Sequence, residues 1–178
     1  MLLSDKHSKT KVLTLALCLG LGLGLSACQV RPLYSSTTPT GQTLASELST
    51  VEIEPAENRI EQEIRNNLVF AFTGGGLPSA PAYKLLLDTK TSSDDLAIES
   101  GSGLAKTTRV SMTATYKLIK LADKSVATEG SSFFTAEFAR STQRFANDRA
   151  KLDAQNRAAE QIANDIQLRL SAFFAAGT

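Results

Sequence analysis

Apolar and polar positions follow several different rhythms along this chain, and each predicts its own kind of element. Residues 12–25 are almost wholly apolar, built mostly of Leu, Ala and Gly. Residues 29–46 then show little periodicity and are rich in Ser, Thr, Pro and Gly, as a tether would be. Val51-Glu52-Ile53-Glu54 alternates apolar and acidic residues, the mark of a short half-exposed strand, and Pro55 stops it. From Asn58 the period lengthens. Ile60, Ile64, Leu68 and Phe72 recur every four residues, which predicts a helix with Arg59, Glu61, Glu63 and Arg65 on its outer surface. Asn58 is suited to cap that helix, and Gly74-Gly75-Gly76 ahead of Pro78 is suited to end it.

The second half alternates more strictly. Residues 82–87 and 96–98 are predicted strand segments separated by a polar loop over 88–95. In the clearest strand, Val110, Met112, Ala114, Tyr116 and Leu118 take one face and Arg109, Ser111, Thr113, Thr115 and Lys117 the other. Residues 122–125 turn the chain, and 126–138 return as the hairpin partner, with Gly130 as a candidate bulge. A long amphipathic helix over about 145–175 closes the chain, with Leu152, Ala159, Ile162, Ile166, Leu170 and Phe173 as its stripe. Asp148 near its start and Arg169 near its end have the signs that complement a helix dipole. The order β-α-β-β-β-α predicts an α+β two-layer sandwich. About four strands form a largely antiparallel sheet with both helices on one face. The other sheet face then carries Thr, Ser, Lys and Arg and is left to meet a partner.

The apolar run changes meaning in its context. Lys6, Lys9 and Lys11 precede it, and Leu25-Ser26-Ala27-Cys28 follows. At about 14 residues it falls short of the roughly 20 needed to span a bilayer. A basic start, a short apolar core and small residues before a cut site form a secretory signal over residues 1–27. A Cys in the first mature position resembles the lipobox of bacterial lipoproteins. In that group the thiol receives a diacylglyceryl group and the new N-terminus an acyl chain such as palmitate. Cys28 is therefore the expected lipidation site, 28–46 the lipidated N-terminus and tether, and 47–178 a single α+β domain.

Counting residues outside the signal narrows the chemistry. The 178 residues include 19 basic and 18 acidic ones, of which three Lys and one Asp lie in the signal, so the mature net charge is −1. That balance argues against a nucleic-acid partner. His7 and Cys18, the only histidine and one of two cysteines, also lie in the signal, and there is no Trp. Ser-His-Asp and Cys-His nucleophiles are excluded, as is a Cys/His metal cage. A Ser-Lys hydrolase would need a Ser held near a buried Lys, and no Ser-x-x-Lys sits at a predicted helix start. The expectation is a protein that is not an enzyme, with no catalytic or metal residues and no cofactor beyond the acyl groups on Cys28.

Two local patterns carry little. Asp88, Lys90, Ser92, Asp94 and Glu99 echo a calcium loop, but Lys90 replaces a ligand and Ser93 stands where the turn requires Gly. Gly101-Ser102-Gly103 before Lys106 lacks the spacing of a phosphate-binding loop and reads as a strand connection. The basic residues Lys106, Arg109, Lys117 and Lys120 are of more interest. Arg109 and Lys117 share the exposed sheet face, with Lys106 and Lys120 toward its ends. Such groups form charge-assisted bonds to anionic head groups, although a solvated face that resists aggregation has the same composition.

Three stretches together resemble the LPS-assembly lipoprotein family, LptE. Cys28-Gln29-Val30-Arg31-Pro32-Leu33-Tyr34 is similar to the Cys-Gly-Phe-Arg-Pro-Leu-Tyr start of alphaproteobacterial members, with Gln-Val in place of Gly-Phe. The second stretch is Arg59-Ile60-Glu61-Gln62-Glu63-Ile64-Arg65-Asn66-Asn67-Leu68. The third runs from Asp153-Ala154 through Arg157-Ala158-Ala159-Glu160-Gln161-Ile162-Ala163 to Arg169-Leu170. The resemblance implies two helices against a four-stranded sheet. It also implies an outer-membrane lipoprotein on the periplasmic side that plugs the LptD β-barrel and helps assemble it, the pair inserting lipopolysaccharide into the outer leaflet. Gln29 fits outer-membrane sorting, since Asp at that place is the common inner-membrane retention signal in enterobacteria. LptD is then the implied partner and lipopolysaccharide a further one, with Lys106, Arg109, Lys117 and Lys120 as candidate contacts to either. The alternative is another envelope lipoprotein acting as a lipid-transport or scaffold component.

Overall fold

A computed structural model describes residues 41–98 and 105–177. Within them the order is α1 (Leu44–Leu48), β1 (Val51–Ile53), α2 (Arg59–Thr73), β2 (Tyr83–Ile98), β3 (Ala105–Lys120), β4 (Val126–Ala139) and α3 (Arg144–Ala176). The signal, Cys28 and the tether up to residue 40 lie outside the described residues, as does Gly101-Ser102-Gly103.

The four strands lie in the order β1-β2-β3-β4. β1 runs parallel to β2, with Val51 beside Tyr83, while β2, β3 and β4 form an antiparallel meander. A parallel pair needs a crossover, and α2 supplies it. The strict alternation of β3 is realised fully: Val110, Met112, Ala114, Tyr116 and Leu118 are buried, while Arg109, Thr115 and Lys117 are exposed on the opposite face. Against the buried face pack Ile64, Leu68 and Phe72 of α2 and Ala158, Ile162, Ile166, Leu170 and Phe174 of α3. This is the expected α+β two-layer sandwich with its helices on one side.

Local rules set the helix ends. The Asn58 Oδ1 accepts from the backbone N–H groups of Ile60 and Glu61, each at 3.0 Å, filling two of the free donors at the start of α2. Gly74 ends α2 in a left-handed conformation (φ 70°), donating its N–H to the Phe70 carbonyl.

Several expectations are corrected. Residues 88–95 are not a loop but the middle of a sixteen-residue strand paired along its length with β3. Their polarity, which reads as loop, arises because no helix covers that part of β2. Glu61 does not lie on the outer surface; it is 5% exposed. One of its carboxylate oxygens accepts from the Glu57 N–H at 2.9 Å, the other from the Thr89 hydroxyl at 3.1 Å. On α3, Leu152 is 41% exposed, and Phe174 rather than Phe173 enters the core. The rest of the expected stripe, Ala159, Ile162, Ile166 and Leu170, is buried, and Ala154, Ala158 and Ala163 join it, their small side chains letting the helix sit close to its neighbours.

The dipole match also fails. Neither Asp148 nor Arg169 falls in the terminal turns of α3, whose first turn holds no acidic residue and whose last holds no basic one, and the dipole acts only there. The Asn147 side chain ties down this start instead, accepting from the Ser141 N–H at 2.7 Å and donating to the Ser141 carbonyl at 2.8 Å. Gly130 is no bulge. The register shift comes two residues earlier, where Leu118–Ile119 meets residues 126–128. Gly130 pairs with Tyr116, whose ring fills the space a Cβ would need. Finally, the tether expected over 28–46 gives way to packed structure by Leu44, because α1 buries Leu44 and Leu48 in the core.

Candidate functional site

Two surfaces of the sheet are open, for different reasons. The first is the whole face away from the helices. Alternation along the paired strands places Ser92, Ser111, Thr113, Thr115, Ser131 and Thr135 on it. Three ion pairs form on it: Lys84 to Glu54 at 2.7 Å, Arg109 to Glu137 at 3.0 Å and Lys117 to Glu129 at 3.7 Å. The hydrogen bond that Lys84 donates to Glu54 raises the Lys84 pKa, and burial partly offsets it. Exposed pairs of this kind add little to stability, because solvent screens them. Their value is to give the surface hydrogen-bonding groups of both signs.

The second open surface lies on the helix side. α2 begins at Arg59, beside the middle of β2, so its far half is left bare on the face where Leu85 is buried. Thr91, Ser93 and Asp95 follow Leu85 on that face by strand alternation and are exposed. Two clefts open there. One of about 360 Å³ is lined by Asn58, Arg59, Ile60, Thr89, Thr91 and Gln155. The other, of about 390 Å³, lies between the far ends of β2 and β3 and the first turns of α3, with Ser93, Asp95, Thr108 and Lys151 among its walls. The Arg59 guanidinium is held by side-chain amide oxygens, Gln155 at 2.7 Å and Asn156 at 3.0 Å. Asp95 accepts from the buried Thr108 hydroxyl at 2.7 Å and pairs with Arg140 at 3.5 Å. Contacts within the fold thus hold Arg59 and Asp95 in place in these polar walls. Among the described residues no group of three or more His, Cys, Asp or Glu is placed to hold a metal ion. Nor is any described helix long and apolar enough to cross a membrane.

The four candidate basic residues do not form one site. At about 3.3 Å per residue, Lys106 and Lys120 stand roughly 45 Å apart along β3. Arg109 and Lys117 occupy the open face as expected, but each has a carboxylate partner on β4. Strand alternation sends Lys106 and Lys120 to the helix side instead, Lys120 lying opposite Tyr83. The quartet is two separated pairs on two faces. Phe133 escaped notice in the sequence because β4 alternates weakly. It lies opposite Thr113 on the open face and is 64% exposed, an apolar point amid Thr, Ser and charged groups. The polar clefts were missed for another reason: the strand that floors them reads as a loop.

The fold has relatives. The model of the family LptE, described as lipopolysaccharide-assembly, matches residues 48–170. Among solved structures, the chain is similar to a lipoprotein from Caulobacter crescentus CB15 at 25% identity and a TM-score of 0.62, covering 76% of this chain and 97% of that one. It is also similar in fold to rare lipoprotein B from Shewanella oneidensis, at 10% identity and a TM-score of 0.52, covering 68% of this chain and 92% of that one. The lipoprotein B structure from Nitrosomonas europaea gives 16% identity and a TM-score of 0.51, over 71% and 84% of the two chains. No curated protein matches the sequence.

Proposed function

We propose that this chain, which belongs to the LptE lipopolysaccharide-assembly family, is an outer-membrane lipoprotein that plugs and helps assemble the LptD β-barrel. Anchored by acyl groups on Cys28, it works from the periplasmic side, without catalysis, where lipopolysaccharide enters the outer leaflet. The observation that carries this reading is the open sheet face. It presents hydroxyls and balanced ion pairs over a predominantly apolar core. The interior of a membrane barrel is lined by polar side chains that alternate with lipid-facing ones. A plug must match that lining with a polar exterior that has no large single-sign field, and this face does so. Acyl chains contribute about 0.8 kcal/mol per buried CH₂, and stable anchoring takes more than one chain. Anchoring also raises the effective concentration of the domain near its barrel.

The test is a tagged pull-down of the full-length protein from detergent-solubilised outer membranes, with partners identified by mass. One large β-barrel recovered near one to one, and retained in high salt, is the expected result. Recovery with inner-membrane components instead would overturn it and favour a lipid-transport or scaffold lipoprotein. In cells depleted of the barrel, Cys28→Ala should leave the outer-membrane fraction while the wild type stays.

A further inference from the structure

β2 is a long strand with only part of one edge occupied. β1 covers Tyr83, Lys84 and Leu85. The Glu54 N–H donates once more to the Leu85 carbonyl, and then Pro55 offers no donor. The chain leaves the sheet for Asn58, whose side chain reaches the Thr89 hydroxyl at 3.4 Å. From Thr89 onward β2 has β3 on one side and, among the described residues, no strand on the other. Such an edge presents a row of backbone donors and acceptors and is a template for another strand.

The sequence of this edge is self-complementary. We propose that residues 89–95 pair antiparallel with the same residues of a second copy of this chain, centred on Ser92. That register sets Lys90 opposite Asp94 twice, by symmetry, and both lie on the open sheet face. Neither has an ion pair within the described fold. On the helix side the same register sets Thr91 opposite Ser93, a pair able to hydrogen-bond across strands. Opposite charges and Thr/Ser pairs facing each other across strands are stabilising, like charges destabilising. Other registers lose this. Centring on Thr91 sets Asp88 against Asp94, and centring on Asp94 sets it against itself. Centring on Ser93 leaves Lys90 facing Leu96.

The outer edge of β4 differs. The Glu137 carbonyl there is taken by the Arg157 guanidinium at 3.1 Å, and pairing centred on Phe133 would set Glu129 against Glu137. The contact along β2 is isologous, the same patch on both copies, and joins two four-stranded sheets into one of eight. It goes beyond the reading of the chain as a barrel plug and does not depend on it.

The test uses the full-length protein purified in detergent without its barrel. The wild type is expected to dimerise. Ser92→Cys is expected to form a disulfide between copies under mild oxidation, whereas Ser131→Cys on β4 is not. Lys90→Asp and Asp94→Lys should each weaken the dimer roughly tenfold or more, since every substitution acts twice. Mixing these two variants should restore it, because all facing pairs become opposite in sign again. A monomeric wild type would overturn the proposal. So would a dimer indifferent to the charge reversals, or a Ser92→Cys product joined to a different protein. Circular dichroism of each variant, expected to match the wild type, separates lost pairing from lost folding.

Discussion

Leu85 and Thr91 lie six residues apart on the same face of the same strand, yet one is fully buried and the other exposed. The difference lies in what is laid over the strand. Beside Leu85 the sheet is roofed by α2 and α3; beside Thr91 the roof has stopped, since α2 begins only at Arg59. A helix presents its apolar face to whatever lies beneath it, so the covered half of β2 is apolar where it faces the helices. The bare half has no such demand and is free to be polar on both faces. Folding energy is thus concentrated at one end of the sheet, and surface chemistry at the other.

The largest expected effect comes from testing that division directly. Leu85→Ala should cost about 2–5 kcal/mol, because it leaves a cavity among fully packed neighbours. Thr91→Ala should stay within about 0.5 kcal/mol of the wild type, as surface substitutions do. Urea unfolding of the two variants measures both. A large loss at Thr91 would mean that the bare half is covered by something in solution.

The same contrast explains what the sequence revealed. β3 crosses both halves beneath α3 and keeps one face apolar from Val110 to Leu118, so its alternation was plain. α2 was equally plain, because Asn58, the four-residue spacing and Gly74 each obey local rules. The far half of β2 was not, since hydrophobic period is the main signal and an uncovered strand has none. Glu61 misled for a related reason. A carboxylate at the third position of a helix is ordinarily solvated, and nothing local shows that Thr89, 28 residues away, will donate a hydrogen bond to it in the interior. Of the candidate site, the open face and its Arg109 and Lys117 were legible from alternation. Their carboxylate partners on β4 were not, because pairing register is a long-range property. Leu152 and Phe173 were misplaced because an Ala-rich stripe is a weak hydrophobic signal.

A second prediction sharpens the picture of the covered half. Tyr116 lies across Gly130, and a Cβ there would stand 2.7 Å from the Tyr116 hydroxyl and 2.9 Å from the ring carbon bearing it. Gly130→Ala should therefore destabilise by about 1–3 kcal/mol through overpacking. Adding Tyr116→Phe removes the nearer atom and should recover part of the loss, which thermal unfolding of the single and double variants would show. Full tolerance of Gly130→Ala would mean that the Tyr116 ring is free to move, and that the covered half is looser than its burial suggests.

The smallest effect, and the one that separates the halves by titration rather than by packing, is alkaline. Burial raises the pKa of Tyr116 above the ordinary 10.0, with the Arg169 charge opposing and the Asp165 charge adding. Burial also raises that of Tyr83, with Glu47 adding to it. Both rings sit over the covered end, Tyr83 edge-on to Phe174 at 5.2 Å. Lys84 is raised too, through its bond to Glu54. A group whose pKa is raised on folding holds its proton more tightly in the folded chain. Its contribution is complete below the unfolded value and is lost as pH rises through the folded one. Stability should thus be flat through neutral pH and fall above about pH 10, with Tyr83→Phe and Tyr116→Phe each flattening the fall. At the acid end, Asp123 is lowered by the Ser125 backbone N–H and hydroxyl, so its contribution is present above 3.8 and fades as pH drops through the folded value. Asp123 belongs to an exposed turn, so this acid limb should be the shallower of the two. Unfolding followed by far-ultraviolet circular dichroism across pH 3–11 compares them, and an alkaline limb unchanged by both tyrosine substitutions would show that neither ring is sheltered by the helix layer.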